Sequence, residues 1–200
     1  MGLRLTGRKC LVVGGGTVAA RKVAALVGCG ADVHVVSPTF GEALAADESI
    51  TRHASAYDPA LLDGAALVIA ATDDEAVNRR VAEDAWSRGI LVNVVDTPSL
   101  CDFYCPAVVR RGPLAIAIHS GGAAPALARR LRQQLEREFG PAYEALAEAL
   151  GRLRREIIET VDDPVIRSRR LRRLGEDETI EAFFRHGADA LRRAVFEEQT

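Results

Sequence analysis

Three consecutive glycines, Gly14, Gly15 and Gly16, follow the apolar run Cys10 to Val13 and lead straight into a helical pattern over Val18 to Val27. A buried strand, a tight turn and a helix N-terminus in that order leave few folds open. Gly14 permits the turn, Gly16 has no side chain to obstruct an approaching phosphate, and Ala19, where a third glycine often sits, still lets helix and strand pack closely. Exposed N–H groups and the helix dipole favour an anion there. The same residues also fit a plain strand-to-helix turn.

The chain continues in the same alternation. Gly28 and Gly30 close the helix, Asp32 to Val36 reads as a second strand, and Ser37-Pro38 ends it. No Asp or Glu closes that strand to take ribose hydroxyls, and no arginine stands there for a ribose phosphate; Ser37, Pro38 and Thr39 occupy the position. The expectation is NAD rather than its phosphorylated form. A short third strand is expected around Ile50 to His53, with His53 at the surface. Leu67 to Ala71 has buried-strand length, Thr72, Asp73 and Asp74 form an N-cap cluster, and a helix runs from Glu75 to Arg88. Ile90 to Val95 is the next buried strand and delivers Asp96. Leu114 to His119 is expected as the last strand, turned by Ser120, Gly121 and Gly122 into a helix opened by Pro125. This is an α/β pattern, a Rossmann-type parallel sheet whose segments ending in Gly16, Ser37, Thr72, Asp96 and Ser120 should face one cleft.

From Pro125 onward the periodicity is helical. Leu127, Leu131 and Leu135 recur every four residues, Tyr143, Leu146 and Leu150 follow, and Phe183, Ala190 and Leu191 mark a last segment. Breaks at Gly140-Pro141, Asp163-Pro164 and Gly175 predict about four helices. Such stripes can be buried on a second copy of the chain, as a homodimer, or within an intrachain bundle. The expected organisation is a nucleotide-binding domain over 1–112, a dimerisation region over 113–145 and a helical C-terminal domain over 146–200.

Charge and length exclude several classes. A net charge of -2 gives no global reason to bind nucleic acid or an anionic membrane. No apolar run reaches the roughly 20 residues that span a bilayer, and no cleavable leader is expected. Gly2 fits a loose myristoylation pattern that is common by chance. The four scattered cysteines suit a reducing, cytoplasmic compartment, and Cys101 and Cys105 have no zinc-site spacing, so buried free thiols and no metal site are expected.

Asp96 is the candidate for chemistry. A carboxylate at a buried strand's end can exchange a proton while a nicotinamide takes a hydride, or it can cap the Thr97-Pro98 turn. His119 could be acid, base, ligand or structural. Among the arginines of the helical part, Arg129 and Arg130, just past Gly121-Gly122, are the expected ligand contacts.

Together these motifs resemble the precorrin-2 dehydrogenases, which include the dehydrogenase and ferrochelatase part of siroheme synthases. The resemblance rests on Val12 to Lys22, Ala70 to Asp74 with Asn78, Val92 to Pro98, Cys101 to Phe103 with Pro106-Ala107, Arg111 to Leu114, and Gly121-Gly122 with Pro125 to Arg129. It is close over about residues 3–135. It implies NAD-dependent oxidation of precorrin-2, an octacarboxylate tetrapyrrole, to sirohydrochlorin, and in some members insertion of ferrous or cobaltous ion. It implies that Asp96 is the catalytic aspartate, that Thr17, Val18, Pro38 and Thr39 contact the cofactor, and that the protein is an intertwined dimer. The chain is expected to be too short for a fused methyltransferase. His119 departs from the small hydroxyl residue usual there and is expected to modulate chelation or to fill space. The rival readings are a nucleotide-binding regulatory module without chemistry and a dimeric scaffold for an acidic partner.

Overall fold

β1 (Lys9–Val13) occupies the middle of a parallel sheet, and the computed structural model buries every residue from Cys10 to Val13. Residues 2–197 are described; Met1 and residues 198–200, which the expected first and last domains include, lie outside them. The sheet adds β2 (Asp32–Val36), β3 (Thr51–His53), β4 (Leu67–Ala70) and β5 (Leu91–Val94), all parallel, in the order β3-β2-β1-β4-β5.

Alternation along β1 divides the core in two. Cys10 and Val12 face α1 (Thr17–Val27), packing with Ala19, Val23 and Leu26 and with Leu44 of the short α2 (Glu42–Ala45). Leu11 and Val13 face the opposite way, against Val81, Ala82 and Ala85 of α3 (Glu75–Ser87) and Leu62 of the 3-10 turn Pro59–Leu62. Burial on both faces explains why these strands read as unbroken apolar runs. Fully burying one Val or Leu side chain contributes about 1.5–3 kcal/mol, so each strand residue stabilises the sheet substantially.

This compact unit runs to Cys105, and a second begins at Pro106. The second opens with an antiparallel hairpin, β6 (Ala107–Arg111) and β7 (Leu114–Ile118), closed across Gly112-Pro113. Here the structure corrects the sequence reading. β7 does not extend the parallel sheet, because it pairs with β6 alone, and its residues alternate between half-buried and exposed. Alanines on the outer face of Leu114 to Ile118 gave an apolar run without two-sided burial.

Five helices follow among the described residues: α4 (Pro125–Glu138), α5 (Ala142–Thr160), α6 (Pro164–Arg173), α7 (Asp177–His186) and α8 (Ala188–Phe196). The expected breaks separate α4 to α7, and a further break at Gly187 divides the last segment in two. Leu146, Ala149, Leu153 and Leu191 form one small core, and Ile157, Val161 and Val195 form another. Arg111 ties the hairpin to α4, its Nε donating to the Phe139 carbonyl at 2.7 Å and one Nη to the Glu136 carbonyl at 2.8 Å. No helix of the described residues is long and apolar enough to cross a membrane.

Candidate active site

Register carries four strand ends to one edge of the sheet. Val13 pairs with Val36 and with Ala70, and Ala70 with Val94. The ladder continues one step beyond: the Gly14 N–H donates to the Val36 carbonyl at 2.9 Å, the Ala71 N–H to Val13 at 2.8 Å, and the Val95 N–H to Ala70 at 2.9 Å. Gly14, Ser37, Thr72 and Asp96 thus leave the sheet at its carboxyl edge. The strand order reverses between β1 and β4, the place where such sheets bind ligands.

The glycine turn is shaped by close approach. Gly14 has φ of 126°, and a Cβ there would run into the Ala71 carbonyl oxygen. A Cβ on Gly15 would meet the Thr39 carbonyl oxygen and the Ser37 hydroxyl, so the β2 connection lies directly on the turn. Gly16 differs: a Cβ would meet no heavy atom within 4 Å, and the residue faces an open cleft of about 410 Å³ between the glycine turn and residues 41–44. Gly16 caps α1 without a side-chain bond, and no acid sits in the first turn. The helix dipole there is uncompensated and the backbone is bare, which fits the pyrophosphate of a dinucleotide.

Each candidate side chain has a definite setting. Gly14 and Ser37 are buried, Gly15, Val18 and Thr72 half-buried, and Gly16, Thr17, Pro38, Thr39 and Asp73 exposed. Thr72 is clamped by Asn78: its Oγ1 donates to Asn78 Oδ1 at 2.8 Å, and Asn78 Nδ2 donates to the Thr72 carbonyl at 2.9 Å. Asp74 performs the capping, accepting from the Ala76 and Val77 N–H groups at 2.8 and 3.1 Å, which leaves Asp73 out of the cap.

Asp96 is exposed and is the non-glycine residue with positive φ, 59°, among those described. Its connection is bound to β5 from beneath. The Cys101 thiol lies 3.1 Å from the Val94 carbonyl it donates to and accepts from the Val94 N–H at 3.2 Å. Asp102 accepts from the Val92 N–H at 3.0 Å and from the Trp86 indole at 3.2 Å. Asn93 Nδ2 donates to the Phe103 carbonyl at 2.8 Å, while its buried Oδ1 has no partner. Burial pushes the Cys101 thiol upward, as befits a neutral S–H donor. The buried thiols expected at Cys101 and Cys105 are corrected: Cys101 is half-buried and bonded, and Cys105 is exposed because it lies past the bonded segment that closes on β5.

The remaining candidates belong to the second unit. His119 Nδ1 accepts from the Gly121 N–H at 3.2 Å, and Ser120 Oγ from the Ala124 N–H at 3.1 Å, so both side chains brace the turn into α4. Gly121, Gly122, Arg129 and Arg130 are exposed.

Two family profiles match successive parts of the chain. A family profile described as "Putative NAD(P)-binding" matches residues 1–107, and one described as "Sirohaem biosynthesis protein central" matches residues 111–138. The chain is 52% identical to a siroheme synthase of Methylobacillus flagellatus over 148 residues, covering 72% of this chain and 32% of that protein. It is 41% identical to one of Thioalkalivibrio sulfidiphilus over 196 residues, covering 96% of this chain and 40% of that protein. The chain therefore spans about a third of the length of these relatives. A solved structure titled SirC, precorrin-2 dehydrogenase, superposes with a TM-score of 0.78 at 26% identity, covering 97% of both chains.

Proposed function

From the premise that this chain belongs to the putative NAD(P)-binding family and is a module of siroheme synthase type, we propose that it oxidises precorrin-2 to sirohydrochlorin with NAD. The observation that carries the reading is the shared sheet edge, on which a bare glycine turn and a carboxylate follow β1 and β5. A nicotinamide bound along this edge would supply the hydride acceptor. Gly14, Gly15 and Gly16 receive the pyrophosphate, with Thr17 and Val18 opening α1 beside it. Ser37, Pro38 and Thr39 line the connection toward the ribose, and Thr72 and Asp73 border the β4 end. Asp96 takes the proton that the substrate loses alongside the hydride. His119 and Ser120 hold the turn, and Gly121, Gly122, Arg129 and Arg130 meet substrate carboxylates.

NAD rather than NADP is supported by the cleft beside the glycine turn, whose lining contains no arginine or lysine. A homodimer formed through residues 113–145 is supported by Leu127 and Leu131, which are 52% and 37% exposed on one face of α4. Four free thiols suit the cytoplasm.

The test is to incubate the protein with enzymatically prepared precorrin-2 and NAD and follow the absorption spectrum. Conversion to sirohydrochlorin with stoichiometric NADH is expected, and binding of NAD without conversion would leave a regulatory module. Ferrous or cobaltous ion added to the product separates an enzyme that stops at oxidation from one that also inserts metal.

A further inference from the structure

We propose that Glu42 is the carboxylate that selects NAD over NADP, by accepting hydrogen bonds from the adenosine ribose hydroxyls and repelling a 2′-phosphate. The proposal rests on the dinucleotide reading of the glycine turn.

In sheets of this kind the ribose acid commonly stands at the end of the second strand. Here that place is taken by Ser37, which is 8% exposed, with its hydroxyl 2.7 Å from where a Cβ on Gly15 would stand. The Ser37 side chain is packed under the turn and is not among the residues that line the cleft. The chain then folds back on the glycine turn: the Gly41 N–H donates to the Gly15 carbonyl at 2.9 Å. That bond sets the first residue of α2, Glu42, on the wall of the cleft opposite Gly16, Thr17 and Ala20.

Among the described residues, Glu42 is the only charged side chain lining the cleft. Its carboxylate is exposed and has no hydrogen bond or ion pair among the described residues, so both oxygens can accept. Arg52 of β3 donates one Nη to the Leu44 and Asp47 carbonyls at 3.1 and 2.6 Å, which ties that guanidinium to the backbone of the α2 connection. A 2′-phosphate in this cleft would meet a carboxylate and no lining cation, whereas two ribose hydroxyls would meet two acceptors.

Calorimetric titration of the full chain with NAD and with NADP tests this, using wild type, Glu42→Gln and Glu48→Gln. The last removes the same charge from an exposed site on the same connection. Wild type binds NAD more tightly than NADP, and the preference narrows as salt rises. Glu42→Gln shrinks the ratio of the two affinities by about tenfold, by weakening NAD and strengthening NADP together. Glu48→Gln leaves the ratio unchanged. An unchanged ratio in Glu42→Gln, or an equal shift in Glu48→Gln, overturns the role of Glu42 while the dinucleotide site stands. Wild-type protein that binds neither nucleotide overturns the dinucleotide reading itself, and the role of Glu42 with it.

Discussion

β1 and α4 are both leucine- or valine-bearing elements, yet they use their apolar residues differently. In β1 every residue from Cys10 to Val13 is at most 2% exposed, because the sheet is covered on both faces. In α4 only Ala128 is buried, and Leu127 and Leu131 remain open to solvent. The parallel sheet buries the apolar side chains of β1 within its own fold. On α4 two leucines stay open, and under the proposed homodimer an apolar side chain serves stability in β1 and oligomeric state in α4.

Substitutions sharpen that contrast. Leu11→Ala removes a side chain with no exposed surface and should cost about 2–5 kcal/mol in urea unfolding, without altering the oligomeric state. The double change Leu127→Asp with Leu131→Asp should do the reverse. Light scattering should report a monomer, while the monomer's own unfolding free energy moves by about 0.5 kcal/mol or less, as expected for exposed positions. A monomeric wild type, or a double variant that stays dimeric, would break the comparison.

Thiol chemistry offers a smaller but clean contrast within the first unit. Cys105 is exposed and should be alkylated rapidly at neutral pH. Cys10 is fully buried, burial pushes its thiol up to about 11, and it should react only after unfolding, as mass spectrometry of the labelled chain would report.

The smallest effect concerns the sheet's β3 edge. His53 Nε2 lies 3.1 Å from His34 Nδ1, the rings stack at 5.3 Å, and His34 Nε2 is 3.4 Å from the Asp32 carboxylate. Burial first, then His34 and Lys9, hold the His53 imidazole below its ordinary 6.5. The unfolded chain therefore binds the proton near pH 6.5 and the folded chain only at lower pH. Stability present above pH 6.5 is lost as pH falls through that window. His53→Gln should flatten this part of the stability profile in thermal melts.

Much of the first unit is legible in the sequence because two-sided burial writes itself as apolar runs, and each run ends at a residue with its own turn chemistry. β1, β2, β4 and β5 lie within a residue or two of the expected spans, and the glycine turn adopts the expected strand-to-helix form. What escapes notice depends on contacts distant in the chain. Asn78 clamping Thr72, Cys101 closing the connection around Asp96, and Glu42 sharing a cleft with Gly16 through the Gly41 bond to Gly15 all require the fold to exist first. The β6–β7 hairpin was hidden for another reason. Gly112-Pro113 is a turn, but the small side chains of Ala115 and Ala117 conceal an exposed face inside an apolar stretch. His53 was expected at the surface, and its pairing with His34 arises only when β2 and β3 come into register.

The proposed roles of the glycine turn in holding the nucleotide and of Asp96 in moving the proton lie on one sheet edge and can be separated. Asn tolerates positive φ, so Asp96→Asn preserves the backbone while removing the base. The measurement is NAD affinity and precorrin-2 turnover on the same preparation. The account predicts NAD affinity within about twofold of wild type and turnover reduced by about 10²–10⁴-fold. Turnover at the wild-type rate in Asp96→Asn would contradict it.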